Sequence, residues 1–439
     1  MHFTSNQRRG FLAAWGGIVL DGVDSFIYAL VLVPALRALL PASGIEPTVG
    51  NVSFYGSILF SVFLIGWGLA FVWGPLADRF GRVRVLMLAI LCYSLFTFLG
   101  AVAQNWWQLA IFRLLAGFGI GGEFVGAGTF VVEELPERQR VVGTGIMNSG
   151  YYLGVFIAAG LNYSIGAQYG WRAMFAVGGL PALFIAYVRL YVQEPERWRN
   201  RVAAIGRWRA RDAFFALFSL EYRRRTLLNC VFLLISMIGL WAGSVYAPAA
   251  VTQVATRMGY GAADAARVSS RATMLLAIGT MIGCLIMPTL AQRFGRRGAV
   301  AFFYALMAIS IAISFGYAFY RPSDALVTFI GCLFFVGVGG GSFSVYWTWI
   351  SEQYRTECRG SALAFATSIG RFVAAGATFL VGAGIQRYGS IGVPVALTAI
   401  PFVIGLLLLP LAIETRGKPL PALRCRCGEL SRSHRACFR

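Results

Sequence analysis

Five charged residues lie inside long apolar stretches of this sequence, where an ion is costly. They are Asp21, Asp24, Arg113, Glu123 and Arg371. A charge at the centre of a membrane helix costs about 2.5–3.5 kcal/mol on insertion scales, so each residue should face a cavity or a partner. A carboxylate in such surroundings can take up and release a proton, and a buried arginine can hold a carboxylate through two parallel hydrogen bonds. The residue types therefore indicate proton exchange and anion binding.

Two aspartates in the first apolar run are the leading candidates for proton exchange. Asp21 and Asp24 are three residues apart and share one face of a helix. Counted at about 1.5 Å per residue, Asp24 and Arg113 lie at matching depths, so an ion pair between them is geometrically plausible. Protonation of the carboxylate would free the arginine. We rank Asp24 before Asp21, and the alternative for both is a permanent structural ion pair or a residue of a solvated vestibule.

The other two intramembrane charges have an open choice between chemistry and structure. Glu123 could relay a proton inward or pair with an arginine of a closed gate. Arg371 lies near the middle of its apolar run, where a fixed cation suits a carboxylate ligand, although it could also balance a buried carboxylate. Aromatic and polar residues could line the rest of a binding cavity. These candidates are Tyr28, Asn148, Tyr151, Tyr152, Trp241, Tyr246 and Tyr346.

The elements that must position these residues are membrane helices. Hydrophobic residues make up 58% of the 439 residues and charged residues only 13%, with a mean hydropathy of +0.69. So little charge could not cover a soluble protein of this size. Twelve apolar runs can cross the roughly 30 Å hydrocarbon core. They lie near 11–36, 54–77, 84–104, 107–132, 142–165, 171–193, 227–250, 272–292, 299–319, 325–350, 361–386 and 390–413. We predict an all-α membrane protein with twelve transmembrane helices.

The net charge of +20 is concentrated in alternate loops. That asymmetry follows the positive-inside rule and predicts that both termini lie in the cytoplasm. No soluble basic domain exists to bind nucleic acid, so the lipid bilayer is the expected large partner. Short loops and the lack of a targeting segment favour a bacterial inner membrane.

One loop signature occurs twice and indicates two similar halves. The first copy reads Ala77-Asp78-Arg79-Phe80-Gly81-Arg82, and the second, offset by 214 residues, reads Ala291-Gln292-Arg293-Phe294-Gly295-Arg296. Secondary transporters commonly contain such internal repeats. We predict an N-terminal six-helix bundle over 1–193, a cytoplasmic loop over 194–226, a C-terminal six-helix bundle over 227–413 and a cytoplasmic tail over 414–439.

Further motifs give the chain a family resemblance over about residues 10–417. The two loops, Arg113-Leu114-Leu115-Ala116-Gly117, Glu133-x-x-Pro136-x-x-x-Arg140, Glu194-Pro195-Glu196-Arg197-Trp198 and Glu414-Thr415-Arg416-Gly417 resemble the major facilitator superfamily, in its sugar-porter-like branch. Leu20-Asp21-Gly22-Val23-Asp24 and Gly370-Arg371 are similar to its symporters of protons with aromatic and small carboxylic acids. The resemblance implies two bundles around a central cavity that opens alternately to each side, and a first-helix aspartate that couples the proton.

The resemblance also implies that the signature loops brace the closed cytoplasmic face. Because Gln292 replaces the aspartate in the second copy, we expect a weaker brace there. The gating candidates are Asp78, Arg79, Arg82, Glu133, Arg140, Arg293, Arg296, Glu352 and Arg359.

No cofactor is expected. The tail residues Cys425, Cys427, His434 and Cys437 have no spacing typical of a structural zinc site, so no metal site is expected. A nucleotide-binding loop of the Gly-x-x-x-x-Gly-Lys type is missing, which argues against transport driven by ATP. The two histidines lie near the termini, so no Ser/His/Asp arrangement is available and the chain is not expected to be an enzyme.

These observations predict a proton-coupled secondary transporter that imports a small organic acid anion. Its expected partners are a small-molecule substrate and protons, and it is expected to be a monomer. The first alternative is a symporter of a sugar or another neutral solute. A drug–proton antiporter is disfavoured because helix five lacks the Gly-Pro kink typical of that group. A membrane sensor that keeps the transporter fold without turnover is the remaining alternative.

Overall fold

The chain is described here from a computed structural model, which covers residues 5–73, 76, 82–134, 140–183, 214–322, 324–354 and 356–417. Its first half contains α1 (Ser5–Leu39), α2 (Val49–Gly68), α3 (Arg82–Gly100), α4 (Trp106–Glu134), α5 (Arg140–Leu161) and α6 (Ala167–Val177). Its second half contains α7 (Arg223–Arg257), α8 (Ala262–Arg293), α9 (Gly295–Gly316), α10 (Ala325–Gly340), α11 (Phe343–Gln353), α12 (Thr356–Tyr388), α13 (Gly392–Ala396) and α14 (Ile400–Leu408).

The predicted all-α membrane fold is confirmed. Across the described ranges, ten helical segments are long and apolar enough to cross a membrane. The predicted run 325–350 is one such span, although a turn at Gly341 and Ser342 divides it into α10 and α11. The run 54–77 leaves α-helical geometry at Gly68 and continues as a 3₁₀ turn over Leu69–Val72. The bundle boundary predicted at residue 193 lies outside the described residues.

Glycines bring α2 against α4 in the first half and α8 against α10 in the second. The carbonyl of Leu114 contacts Gly66, and the carbonyl of Phe63 contacts Gly117, so closely that a Cβ on either glycine would overlap the neighbouring backbone. Small residues allow this approach within a bilayer, where packing drives helix association. The second half repeats the reciprocal arrangement at equivalent places: Gly279 with Phe334, and Gly337 with Leu276. The two halves are therefore similar in packing as well as in their loop signature.

The two halves meet along two helix pairs, α2 with α12 and α5 with α8. In the first pair, Ser61 Oγ donates to the carbonyl of Ala375 at 2.7 Å. In the second, Asn162 Nδ2 donates to Ser270 Oγ at 3.0 Å. The charged residues identified from the sequence lie on α1, α4 and α12.

Different loops lie at the two ends of the helix bundle. The end that carries residues 293–297 and 414–417 is called the signature-loop face. The end that carries residues 40–48 and 258–261 is called the vestibule face.

Candidate functional site

The structure brings Asp24 of α1 and Arg113 of α4 together in the interior. Asp24 Oδ2 lies 3.9 Å from Arg113 Nη1, and both side chains are fully buried. Within the described part of the chain, neither carboxylate oxygen of Asp24 and none of the three guanidinium nitrogens of Arg113 has a hydrogen-bond partner. Burial of two charges without hydrogen bonds leaves their desolvation poorly compensated. The pair therefore contributes little net stability to the fold, and Thr97 lies beside its carboxylate.

Aromatic rings hold the Arg113 guanidinium in place. Its Cζ lies 4.4 Å from the ring centroid of Phe63 and 5.0 Å from that of Tyr28. Tyr28 is itself fixed, because its hydroxyl donates to the carbonyl of Gly56 at 2.9 Å. A cation over a ring face is attracted by the quadrupole of the ring, more strongly when water is excluded. The rings can therefore keep Arg113 in position while its carboxylate partner changes.

A second buried arginine, Arg371 of α12, lies over another ring. Its side chain is 1% exposed, and its Cζ lies 4.2 Å from the ring centroid of Trp67. Asp21 and Tyr151 lie within electrostatic range of it. The site thus contains two cations, one contributed by each half of the molecule.

The rings between these arginines form an aromatic cluster, defined as Phe60, Phe63, Trp67, Tyr151 and Trp241. The centroids of Trp67 and Trp241 are 5.4 Å apart, and Trp241 also contacts Phe60 at 5.6 Å and Tyr151 at 6.3 Å. Phe63, under Arg113, lies 5.8 Å from Trp67, under Arg371. The cluster therefore joins α2 and α5 of the first half to α7 of the second and connects the two cations.

Sequence reasoning found only part of this cluster. Tyr151 and Trp241 were predicted, but Phe60, Phe63 and Trp67 were not. Their spacing of three and four residues places them on one face of α2, and that spacing was the available signal.

Two further carboxylates lie in the same interior. Asp21 is 2% exposed and accepts a hydrogen bond from Ser25 Oγ at 3.2 Å. Glu123 is fully buried, and its carboxylate packs directly against Gly17 of α1. Neither Glu123 oxygen has a hydrogen-bond partner among the described residues, and Tyr93 lies beside it. Asp21 lies within electrostatic range of both Glu123 and Asp24.

The charged centre, defined as Asp21, Asp24, Glu123, Arg113 and Arg371, is closed to solvent in this conformation. Each of its five side chains is at most 2% exposed. Three carboxylates and two guanidinium groups would carry one net negative charge if all were ionised. One proton on the carboxylates would make the centre neutral. That state is favoured because an uncompensated buried charge is costly. Carboxylates are groups that exchange protons, and guanidinium groups are ones that pair with carboxylates.

The remaining predicted binding residues are distributed over different places. Tyr152 packs against Tyr151 with the ring centroids 5.3 Å apart. The Tyr246 hydroxyl donates to the carbonyl of Thr378 at 3.3 Å. Asn148 Nδ2 donates to Ser344 Oγ at 2.9 Å, which is a contact between the two halves.

Tyr346 lies away from the aromatic cluster. Its hydroxyl lies 2.7 Å from that of Tyr304 and 3.2 Å from Ser236 Oγ, in a network between α7, α9 and α11. These partners occupy the hydroxyl, and the role of Tyr346 in lining a cavity stays a prediction.

At the signature-loop face, Arg296 and Glu352 form a bidentate ion pair. Arg296 Nη2 lies 2.6 Å from Glu352 Oε1, and Arg296 Nε donates to Oε2 at 3.0 Å. A third donor of the guanidinium, Nη1, reaches the carbonyl of Ala291 at 3.0 Å. Thr415 Oγ1 donates to the same Glu352 carboxylate. Two predicted gating residues are thus joined to the start of the C-terminal tail.

Glu414 completes this loop network. Its carboxylate accepts hydrogen bonds from the backbone amides of Arg296 and Arg297 at 3.0 Å and of Thr415 and Arg416 at 2.9 Å. Burial alone would raise the pKa of Glu414, but these four amides outweigh it and lower the pKa below its usual value. Gly295 makes the turn at φ +79°, with the Glu414 carboxylate against it. The loop is thus held by two carboxylates even though Gln292 stands in the aspartate position.

The other gating candidates are only partly visible. The carbonyl of Arg293 accepts a hydrogen bond from Arg416 Nη1 at 2.7 Å. Asp78 and Arg79 lie outside the described residues, and so do the side chains of Arg82, Glu133, Arg140 and Arg359. The tail cysteines also lie outside, and the described residues contain no group of three or more His, Cys, Asp or Glu side chains that could hold a metal ion.

A bundle of membrane helices that encloses charges and aromatic rings between two similar halves defines a membrane transporter. The family model described as Major Facilitator Superfamily matches residues 14–378. The chain belongs to this superfamily, which confirms the resemblance seen in its motifs.

Relatives and solved structures cover nearly the whole chain. A relative from Cupriavidus pinatubonensis, described as a probable 4-methylmuconolactone transporter, is 29% identical over 94% of this chain and 91% of its own length. The cis,cis-muconate transport protein of Acinetobacter baylyi is 26% identical over 92% of this chain and 96% of its own. The crystal structure of a D-xylose-proton symporter superposes with a TM-score of 0.74 at 18% identity and covers 95% of this chain and 100% of that chain, which shows the shared fold.

Proposed function

We propose that this transporter is a proton-coupled symporter that imports small aromatic or aliphatic carboxylates by alternating access. The observation that carries the proposal is the charged centre, in which two arginines and three carboxylates are buried and each arginine lies over a ring of the aromatic cluster. Relatives named for transport of 4-methylmuconolactone and cis,cis-muconate support the substrate class, since muconate is a carboxylate.

In this proposal Arg371 holds the substrate carboxylate. A guanidinium presents two parallel donors to two carboxylate oxygens, which gives orientation as well as charge compensation. Trp67 already lies under Arg371, and Trp241 lies beside it, so an unsaturated or aromatic substrate body would meet ring faces. An apolar site with a few placed polar groups is the usual form of a small-molecule site.

Asp24 carries the coupling proton in the same proposal. While Asp24 is ionised, it compensates Arg113 across 3.9 Å. A substrate anion adds a negative charge to a centre that already has an excess carboxylate, so entry of the anion favours entry of a proton. Asp21 and Glu123 are the further proton sites, since both lie within electrostatic range of Asp24.

Alternating access would require the contacts between the halves to open at one face at a time. Thr144 and Thr348 lie 3.3 Å apart between their hydroxyl oxygens, near the Asn148–Ser344 contact. Toward the vestibule face, Gln386 Nε2 donates to Asn51 Oδ1 at 3.2 Å. Together with the Ser61–Ala375 and Asn162–Ser270 hydrogen bonds, these are among the contacts between the halves that would have to break in turn. The arginine-rich loops support a cytoplasmic signature-loop face and cytoplasmic termini, and the bacterial relatives support an inner membrane.

The test is uptake into proteoliposomes of radiolabelled carboxylates and sugars, with and without an imposed inward proton gradient. We expect the gradient to drive accumulation of a carboxylate. Asp24→Asn should abolish that accumulation while leaving exchange of labelled for unlabelled carboxylate, because exchange needs no net proton movement. Asp264→Asn, in an exposed pair with Arg267, is the matched control and should behave as the unmodified protein.

Three outcomes would contradict the proposal. Accumulation of a neutral sugar in place of a carboxylate would make Arg371 a charge balancer. Gradient-driven accumulation that survives Asp24→Asn would remove Asp24 from coupling. No transport across the panel would favour a sensor with a transporter fold.

A further inference from the structure

A cavity lies between the two halves at the vestibule face, and no residue of the charged centre lines it. The ends of α1 and α7, the start of α2 and the connection after α12 line it. Its volume is about 170 Å³ behind an open mouth, so it can hold the body of a small organic molecule but not enclose a large one. Apolar side chains such as Leu32 and Val52 form most of its wall.

The charged groups of this cavity are basic. Arg37 near the end of α1 and Arg257, the last residue of α7, are exposed and line it from opposite halves. Arg257 is held in position, because its Nη2 donates to the carbonyl of Phe319 at 2.7 Å and its Cζ lies 5.4 Å from the Phe319 ring. Among the described residues that line the cavity, none is acidic. The cavity therefore combines an apolar wall with two positive charges.

One buried polar atom of the lining has no partner. Gln253 Oε1 makes no hydrogen bond within the described part of the chain. A buried acceptor without a donor is costly, so this oxygen suits a ligand hydroxyl or a water brought in with a ligand.

Two tyrosines separate this cavity from the charged centre. Tyr246 lines the cavity and is 2% exposed, and its hydrogen bond to the carbonyl of Thr378 joins α7 to α12. Tyr28 lies within electrostatic range of Tyr246 and packs on Arg113 at 5.0 Å. The path from the vestibule face to Arg113 therefore passes these two rings.

We propose that this cavity is an entry site for amphipathic carboxylates, which bind there before they pass Tyr246. The carboxylate lies between Arg37 and Arg257, and the apolar body packs against Leu32 and Val52. The assignment as an entry site rests on the proposed function, whereas anion binding in the cavity does not depend on transport.

Photolabelling of the purified full-length protein in nanodiscs tests the binding site. The probe is 4-benzoylbenzoate, and the matched neutral probe is 4-methylbenzophenone, which has the same rings without the charge. Mass spectrometry should find the carboxylate probe on residues 32–37 and 249–257. Arg37→Gln should lower that labelling about tenfold, the factor that corresponds to about 1.4 kcal/mol. Arg267→Gln, an exposed arginine outside the cavity lining, should leave it unchanged.

The same experiment separates this site from the central one. Arg371→Gln should leave labelling of residues 32–37 unchanged, because Arg371 lies beyond the tyrosines. Equal labelling by the neutral probe, or labelling that is insensitive to Arg37→Gln, would overturn the proposal, since the cavity would then only partition apolar molecules. Loss of labelling in Arg371→Gln would also overturn it, because the probe would then bind at the centre.

Uptake kinetics test whether the cavity is an entry site for transport. Arg37→Gln should raise the carboxylate concentration for half-maximal uptake about threefold to tenfold at an unchanged maximal rate, because the substrate site is intact. An unchanged half-maximal concentration would overturn the entry role. Charge-dependent labelling without any carboxylate uptake would support the binding site and contradict the proposed function.

Discussion

Two of the arginine–carboxylate pairs in the described part of the chain are of opposite construction. Arg113 and Asp24 lie 3.9 Å apart, fully buried and without hydrogen bonds among the described residues. Arg296 and Glu352 lie 2.6 Å apart, in a bidentate pair whose side chains are 10% and 17% exposed. The first pair therefore lacks the compensation that makes a buried ion pair stable, and the second has it.

We infer from this difference that the first pair takes part in transport and that the second holds the fold. A pair with short, saturated hydrogen bonds resists replacement of either partner, as a brace between helices must. A pair without them can release its arginine when a proton or a substrate anion arrives. We infer that the charged centre contributes little stability and that the loop network contributes little chemistry.

The largest expected effect comes from disturbing the charged centre without changing a charge. In Gly17→Ala the new Cβ would overlap the Glu123 carboxylate, so Glu123 must move. We expect the maximal rate of gradient-driven uptake to fall more than about tenfold, because misplacing a reacting group by about 1 Å can cost far more. Proteoliposome uptake, normalised to folded protein, measures this.

Gly331→Ala of α10 is the control for that prediction, since no atom lies within 4 Å of its added Cβ. Both changes replace a helical glycine with alanine, which by itself favours the helix by up to about 1 kcal/mol. Equal uptake by the two variants would show that the position of Glu123 is unimportant for transport. The structural difference between the two ion pairs would then have no functional consequence.

A smaller effect, on stability, is expected from the loop network. Glu352→Gln removes the charge that Arg296 and Thr415 contact. The free energy of unfolding should fall by about 1–3 kcal/mol, the usual cost of leaving hydrogen-bonded charged groups without their partner. Thermal unfolding in detergent measures it, with Asp264→Asn in its exposed pair expected to change less than about 1 kcal/mol. If Glu352→Gln instead left stability unchanged and abolished uptake, the loop network would be part of the working cycle.

The sequence predicted the charged centre better than its surroundings. Counting residues along two apolar runs brought Asp24 to the level of Arg113, because helix rise is constant and charges are rare in such runs. The rings of α2 were missed because Phe60, Phe63 and Trp67 lie in a run that is apolar on all sides. Hydropathy there cannot distinguish the face toward a cavity from the face toward lipid.

Long-range hydrogen bonds were the least predictable feature. Glu414 was recognised only as part of a motif. Its carboxylate accepts hydrogen bonds from the backbone amides of Arg296 and Arg297, which lie more than a hundred residues away in the sequence. The contacts of the Tyr346 hydroxyl with Tyr304 and Ser236, within the second half, were likewise not predicted. Such pairings depend on how α9 and α11 pack, which no local pattern shows.

The smallest expected effect is a pH dependence of the loop network. The folded protein lowers the pKa of Glu414 below its usual value of about 4.5, because four backbone amides outweigh the effect of burial. A lowered pKa means that the ionised carboxylate stabilises the folded state at pH values above the unfolded pKa, and that this contribution is lost as the pH falls through the folded pKa.

Glu414→Gln should therefore unfold at a slightly lower temperature than the unmodified protein at pH 7. The difference should shrink as the pH falls through the lowered folded pKa, where the carboxylate of the unmodified protein also becomes neutral. A gap that stays constant across that range would mean that the amides recognise the shape of the side chain and not its charge. The loop network would then be a packing feature, and the contrast with the charged centre would rest on Glu352 alone.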